Sequence, residues 1–566
     1  MNADRYKWIA LSCTTLGVLL ATLDGSITLI ARPDIFRGIH LDPLVPANSF
    51  YLLWMILGYL VATSVLVVSL GRLGDMFGRV RIFNLGFVIY TAASLLLAID
   101  WMTGRDGATY LIVFRIVQGV GGACLLANAA PIIADAIPAD QRGMALGINN
   151  IVAVSGTFIG LVLGGLLAPI DWRLVFLISV PVGLAGTVWA YLRLEERGTP
   201  RRAKVDWWGN VTFALGLVLA MTSVTYGIRP AGGHATGWAS PRVLALLAGA
   251  VLCLVAFAAI ERRVAEPMFR LRLFTIRAFT FGTLSTFLSA VARGGLMFIL
   301  IIWLQGIWLP QHGYDFEATP LWAGIYMLPL TAGILIVGPI SGYLSDRYGS
   351  RAFATAGMLG QALSFGLLLL LPTDFPYPLF ALTLLLSGAS MGLFIAPNRA
   401  AVMNSLPAPD RGAGGGMNQT FQNSAQVLSI GVFFTLMVIG LSATLPAAMH
   451  DGLVAHGVAP ATASHVAALP PVSILFAAFL GYNPIGHLLG PGALAGLPAH
   501  DQAVLSGQSF FPHLISGPFQ SGLHAAFAFA IVACLIAAAA SALRGGRYRH
   551  GDRALVRAPL EEQHAR

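Results

Sequence analysis

The feature that most constrains this 566-residue chain is that it repeats itself. Gly71-Arg72-Leu73-Gly74-Asp75-Met76-Phe77-Gly78-Arg79-Val80-Arg81 returns as Gly342-Tyr343-Leu344-Ser345-Asp346-Arg347-Tyr348-Gly349-Ser350-Arg351, with Gly, Leu, Asp and Gly in register at an offset of 271. Pro138-Ala139-Asp140-Gln141-Arg142-Gly143 returns as Pro407-Ala408-Pro409-Asp410-Arg411-Gly412. Beyond it Gly147, Asn149 and Ser155 fall opposite Gly416, Asn418 and Ser424 at an offset of 269. Two loops repeated in one order at nearly one offset require a chain built from two related halves.

Each copy lies between long apolar runs. Of all residues 57% are hydrophobic and only 10% charged, where a soluble domain is about a quarter charged, and the mean hydropathy is +0.76. The chain therefore reads as an all-α polytopic membrane protein. Runs of about 20 residues, enough to cross about 30 Å of hydrocarbon as helix, predict fourteen spans. They lie near 9–30, 49–70, 82–100, 109–134, 144–168, 173–193, 208–228, 243–260, 279–304, 320–343, 352–372, 378–400, 414–440 and 523–543. Within 441–522, Ser473 to Leu480 is apolar but too short to span, and reads as a re-entrant or surface helix on a long extracytoplasmic loop. The first span is long, carries an Asp and is followed by no small-residue cleavage site, so it reads as a retained helix. Cys13, Cys124, Cys253 and Cys534 all fall inside predicted spans, in no metal or disulfide pattern.

Orientation follows from the 34 Lys and Arg, which favour cytoplasmic loops. With the N-terminus inside, the outer segments hold six (Arg32, Arg37, Arg105, Arg173, Arg229, Arg242), the spans three (Arg115, Arg293, Arg399), and the inner segments all others. Both termini are thus expected in the cytoplasm, with Arg544 to Arg566 a solvated tail. The net charge of +9 then reflects this bias and anionic headgroups, not nucleic acid.

The repeat divides the spans into six, two and six. Residues 1–195 form an N-terminal half and 196–277 a charged linker with inserted helices 7 and 8. Residues 278–543 form a C-terminal half, and 544–566 the tail. Paired halves in a membrane are an architecture of secondary transporters. The motifs on these helices resemble the major facilitator superfamily, and within it the fourteen-helix drug:proton antiporters, along nearly the whole chain. Gly71, Asp75, Gly78, Arg79 and Arg81 match its cytoplasmic loop motif, with Asp346 and Arg347 in the second copy; the resemblance implies a latch between helices of the two halves. Arg115-Ile116-Val117-Gln118-Gly119 in helix 4 is similar to the buried-arginine motif associated with proton coupling. Gly156, Gly160, Gly164 and Gly165 in helix 5 resemble the antiporter motif, and Asp24 matches the family's Asp in helix 1. The chain departs from the pattern with Leu161 for the usual Pro, with Ala31-Arg32-Pro33 and with Ser179 for Asn.

Physics supports these assignments without the family. Small residues every fourth position from 156 to 164 make a face on which a second backbone packs closely. Asp24 alone among the 25 acids lies well inside a span, where an ionised carboxylate is costly and becomes paired or protonated. Asp24 and Arg115 each lie about six residues, roughly 9 Å, from the outer ends of antiparallel helices, so they are expected to meet across the cavity as the proton-coupling pair. Arg293 sits near mid-membrane without an acid of its own half. With Gln118, Gln305, Asn418 and Gln422 it is expected to line the substrate cavity, helix 13 adding further amides.

The resulting expectation is a monomeric plasma-membrane transporter that uses the proton gradient, with no cofactor, metal or catalytic residue. It exports small lipophilic or amphiphilic compounds, with a lipid exporter moving anionic amphiphiles as the alternative. No nucleophile-base set or phosphate loop is present; Gly412 to Gly416 lacks the P-loop Lys. Six of twelve His lie in the 441–522 loop, without ligand spacing.

Overall fold

The structure is a computed structural model and describes residues 3–42, 44–138, 141–197, 206–232, 236–264, 267, 269–407, 410–479 and 483–545. Among them, fourteen helices are long and apolar enough to cross a membrane. They are α1 (Arg5–Ile30), α2 (Ser49–Phe77), α3 (Arg79–Ala98), α4 (Gly104–Ala136), α5 (Met144–Leu167), α6 (Leu174–Arg193), α7 (Trp207–Gly227), α8 (Pro241–Glu261), α9 (Arg277–Gln311), α10 (Thr319–Ser345), α11 (Ser350–Leu370), α12 (Tyr377–Asn404), α13 (Ala413–Ala455) and α14 (Phe510–Ala542). Each coincides with an apolar run because a backbone in hydrocarbon has only itself to hydrogen-bond.

The same packing plan is folded twice. In the first half α1 packs on α5, α2 on α4, and α3 on both α4 and α6; eight helices later α9 packs on α13, α10 on α12, and α11 on both α12 and α14. Helices α7 and α8 stand outside this plan, with α7 against α8, α2 and α13. Rings of Phe213, Phe257 and Phe421 gather at 5.3–5.9 Å around Phe269, just beyond α8, and tie the inserted pair to the second half. We call the end of the bundle where α1 begins proximal and the opposite end distal.

The distal region differs from the expected loop 441–522. The helix of α13 continues to Ala455 and α14 starts at Phe510. A hydropathy window measures hydrocarbon thickness, whereas a helix runs on while its flanks are packed: a Cβ at Gly440 would lie 2.5 Å from Gly522 Cα. Between the two columns lie short helices at Pro460–Ala467, Pro471–Phe479, Ile485–Ala495 and Ala499–Ser506. The first two are bent by 85°, and the second re-enters the bundle, with Val472 to Ala478 buried. It packs on α2, α9 and α13, and Phe476 stacks on Phe434 at 4.9 Å. At the C-terminus Arg544, expected on a solvated tail, is only 4% exposed; residues 546–566 lie outside the described ones.

Candidate functional site

Inside the first half, α1 and α4 bring Asp24 and Arg115 together as their matched depths require. Arg115 Nη1 donates to Asp24 Oδ2 and to Gln118 Oε1 at 2.7 Å. Gln118 sits one helical turn on, and its Nε2 donates to Asp24 Oδ1 at 3.0 Å and to Ser94 Oγ of α3 at 2.9 Å. The Tyr59 ring of α2 lies 4.7 Å from the Arg115 guanidinium carbon. Asp24 and Gln118 are 0% exposed and Arg115 2%. Each oxygen of the buried carboxylate accepts a hydrogen bond, one from Arg115 and one from Gln118, which offsets the cost of burying the pair. The pair, expected to meet across the cavity, instead lies within the first half: all its members belong to α1–α4. Gln118, expected on the cavity wall, is part of this lock.

The opposite face of α1 rests on α5. A Cβ at Gly156 would lie 3.3 Å from Leu19 O, one at Gly160 would collide with Leu23 O, and one at Gly164 would lie 2.8 Å from Ile27 O. The same helix touches the second half at its distal end, where Gly165 faces the Leu321 backbone (2.6 Å from a Cβ to its N) and Gly324 of α10 faces Leu161 O (3.2 Å). With Leu161 in place of Pro, Arg142–Leu167 is one uninterrupted helix. Helix α1 is thus held between the Asp24 lock and a glycine seam on the helix that meets the other half. Toward the proximal end the contact of α5 with α10 loosens: a Cβ at Gly147 or Gly338 would meet nothing within 4 Å, and Met144 and Ile151, near Gly147 on α5, are exposed.

The proximal loop motif is an ion-pair cluster. Arg79 pairs with Asp75 at 2.7 Å and with Asp135 of α4 at 2.7 Å, and Glu196 accepts from the backbone N–H of Arg79 and Val80 at 3.1 and 2.9 Å. Gly78 turns the chain between α2 and α3 at φ 110°, a conformation that favours glycine. The resemblance implied a latch between halves; here both pairs of Arg79 stay within the first half, because α2 and α4 supply the partners. Gly71 is loosely packed, its nearest neighbour to a Cβ being Ala127 at 3.8 Å. Arg81 is exposed. In the second copy Arg347 is exposed over Tyr348, and the Asp346 side chain lies outside the described ones. A second proximal cluster reverses the signs: Arg270 and Arg272, in the linker before α9, both donate to Asp410, which precedes α13. Burial raises the Asp410 pKa, but these hydrogen bonds outweigh it and hold the carboxyl below its ordinary range.

The second half has no lock of the first kind. Arg293 of α9 is half-buried, and its Nε has no hydrogen-bond partner among the described residues. Beside it α9 presses on α13, with a Cβ at Gly294 lying 2.9 Å from Gln426 O and Gly295 N donating to Ser429 Oγ at 2.8 Å. This puts Arg293 level with the amides of α13, of which Gln419, Gln422, Asn423 and Gln426 are half-buried. Asn418 donates to Thr283 and Thr286 at 3.3 Å. Arg399 of α12 is exposed, and its Nη1 donates across the halves to Asn150 Oδ1 of α5 at 3.4 Å. The buried Arg544 donates to Asn398, whose own amide reaches Thr286 at 2.7 Å. Gln305, expected in the cavity, is instead 0% exposed in a π-helical stretch, Leu304–Trp308, under the re-entrant helix, whose Ala478 backbone fills the space beside Gly306.

Sequence reasoning missed Ser94, Tyr59, Arg399 with Asn150, and the Arg544–Asn398 pair. It also assigned Arg32 to an outer loop, whereas Arg32 is 1% exposed with its guanidinium 5.3 Å from the Phe298 ring of α9. The signal available for Asn398 was its offset of 270 from Asn128, another buried amide.

Comparison with known proteins agrees with this architecture. The family model described as Major Facilitator Superfamily matches residues 14–430. The tetracenomycin C resistance and export protein of Streptomyces glaucescens is 29% identical over 440 residues, 78% of this chain and 77% of that protein. Multidrug resistance protein Stp of Mycobacterium tuberculosis is 28% identical over 447 residues, 78% of each. The riboflavin transporter RibZ of Clostridioides difficile is 27% identical over 439 residues, covering 77% of this chain and 90% of that protein. Among solved structures, an inward-facing bacterial homolog of the human lysosomal transporter Spinster superposes with a TM-score of 0.57 at 15% identity, covering 95% of this chain and 97% of that one.

Proposed function

The chain belongs to the major facilitator superfamily, and on that premise we propose that it is a proton-coupled exporter of lipophilic and amphiphilic compounds, working as a monomer by alternating access in the cell membrane. Its similarity to drug-resistance and export proteins supports the direction and cargo class. The bias of Lys and Arg supports a cytoplasmic proximal face carrying both termini. The energy source is the proton gradient, with no cofactor.

The observation that carries this reading is the sealed Asp24–Arg115–Gln118 lock. Protonating Asp24 removes the charge that holds Arg115, and so loosens α1 from α4 while α1 stays seated on the glycine seam of α5. Because α5 meets α10 at the distal end, a change in how α1 is held reaches the interface between the halves. A proton that binds one access state better than the other shifts the population by that difference alone. The test is proton movement across proteoliposomes on adding a lipophilic cargo under an imposed pH gradient. Cargo-dependent proton flux is expected; cargo movement with no proton flux rules out coupling.

A further inference from the structure

Well inside the spans, the charged groups left after the Asp24–Arg115 pair are arginines. The single acid well inside a span, Asp24, is sealed and neutralised by Arg115. The second half contributes Arg293 and Arg399, and neither has a carboxylate partner among the described residues. Arg293 is 16 residues from the start of α9, roughly 24 Å along the axis, and Arg399 five residues from the proximal end of α12, roughly 7 Å. Guanidinium stays protonated in proteins, and an uncompensated cation at mid-membrane is costly. Between the two depths α13 presents a ladder of neutral amides, Gln419, Gln422, Asn423 and Gln426, which donate hydrogen bonds without adding charge.

A second observation concerns the cargo's chain. Where Arg399 meets Asn150, α5 exposes Met144 and Ile151, and a Cβ at Gly147 of α5 or Gly338 of α10 would meet nothing within 4 Å. A head held at Arg399 therefore has an apolar opening beside it.

We propose that the cargo is an amphiphile with an anionic phosphate or carboxylate head, received at Arg399, held at Arg293 and passed along the α13 amides, its apolar chain lying at the gap between α5 and α10. This rests on the export reading and narrows it.

The test is binding of four fluorescent amphiphiles with one alkyl chain and a phosphate, carboxylate, alcohol or trimethylammonium head to the full-length protein in zwitterionic nanodiscs. The phosphate is expected to bind at least tenfold tighter than the alcohol. Arg293→Ala is expected to weaken phosphate binding more than tenfold and alcohol binding less than twofold; Arg399→Ala should mainly slow phosphate association. Arg293→Gln is the second variant, and if neither folds, the wild-type head-group series decides. A parallel arm presents the same phosphate on a labelled diacyl lipid within the disc: binding there identifies a membrane lipid as the source, and binding of the single-chain form alone a soluble amphiphile. Alcohol or trimethylammonium binding as tight as phosphate, or undiminished phosphate binding by folded Arg293 variants, overturns the proposal and leaves export standing. Failure of all four to bind sinks both.

Discussion

At equivalent places in the two halves the chain puts opposite charges: Asp24 in α1 and, 269 residues on, Arg293 in α9. The packing around them is alike, α1 on α5 and α9 on α13. Yet Asp24 is sealed against Arg115 and Gln118, whereas Arg293 is half-buried with Nε unbonded among the described residues. At the proximal surface one Arg79 serves Asp75 and Asp135, whereas one Asp410 of the second half serves Arg270 and Arg272 of the preceding linker. The duplicated scaffold thus pairs its embedded acid in the first half and leaves Arg293 of the second without a carboxylate partner among the described residues; on the proposed reading the first holds the proton and the second meets the cargo.

The largest effect that separates the halves is expected from Arg115→Ala. It leaves a buried carboxylate uncompensated, a loss of about 3–5 kcal/mol, visible as a lower thermal unfolding midpoint in detergent. The double variant Asp24→Asn/Arg115→Gln should recover most of it. Arg293→Ala should cost little or even stabilise, since it removes a cation with no carboxylate partner among the described residues. Equal losses for the two arginines would break the comparison.

Next in size is the seam that carries α1. Gly160→Val places a side chain against the Leu23 carbonyl and should cost about 1–3 kcal/mol as overpacking. Gly147→Ala, on the same helix with nothing within 4 Å of its Cβ, should be neutral or stabilise by up to about 1 kcal/mol, the helix-propensity difference. A tolerant Gly160 in the unfolding assay would mean that α1 is not seated as described.

The smallest effect concerns Asp410, whose pKa is held down in the folded state. A depressed carboxyl contributes stability above its unfolded pKa, about 3.9, and loses it as pH falls through the lower folded value. Unfolding midpoints of wild type and Asp410→Asn should therefore differ at pH 6 and converge toward pH 3. A constant difference would assign Asp410 a role in packing alone.

Much of this was legible in the sequence, for a physical reason: hydrocarbon imposes one period and one length on every span, so fourteen helices and the depth match of Asp24 with Arg115 follow from residue counts. The azimuth of a side chain does not. Gln118 was placed on the right helix and the wrong face, because hydropathy is nearly uniform around a helix that is buried on one side and in lipid on the other. Gln305 is misplaced because the sequence predicts a short re-entrant or surface helix at Ser473 to Leu480 but not which span it covers. The pairing of Arg399 with Asn150 joins the halves, and only their relative pose brings it about.

The central claim, that the first half holds the coupling proton, is tested most directly by Asp24→Asn in proteoliposomes, with cargo binding and pH-gradient-driven cargo accumulation measured on the same preparation. The account predicts that binding persists within about threefold while gradient-driven accumulation falls to the level of protein-free liposomes. Undiminished gradient-driven accumulation by the Asn variant would contradict it and remove Asp24 from the transport cycle.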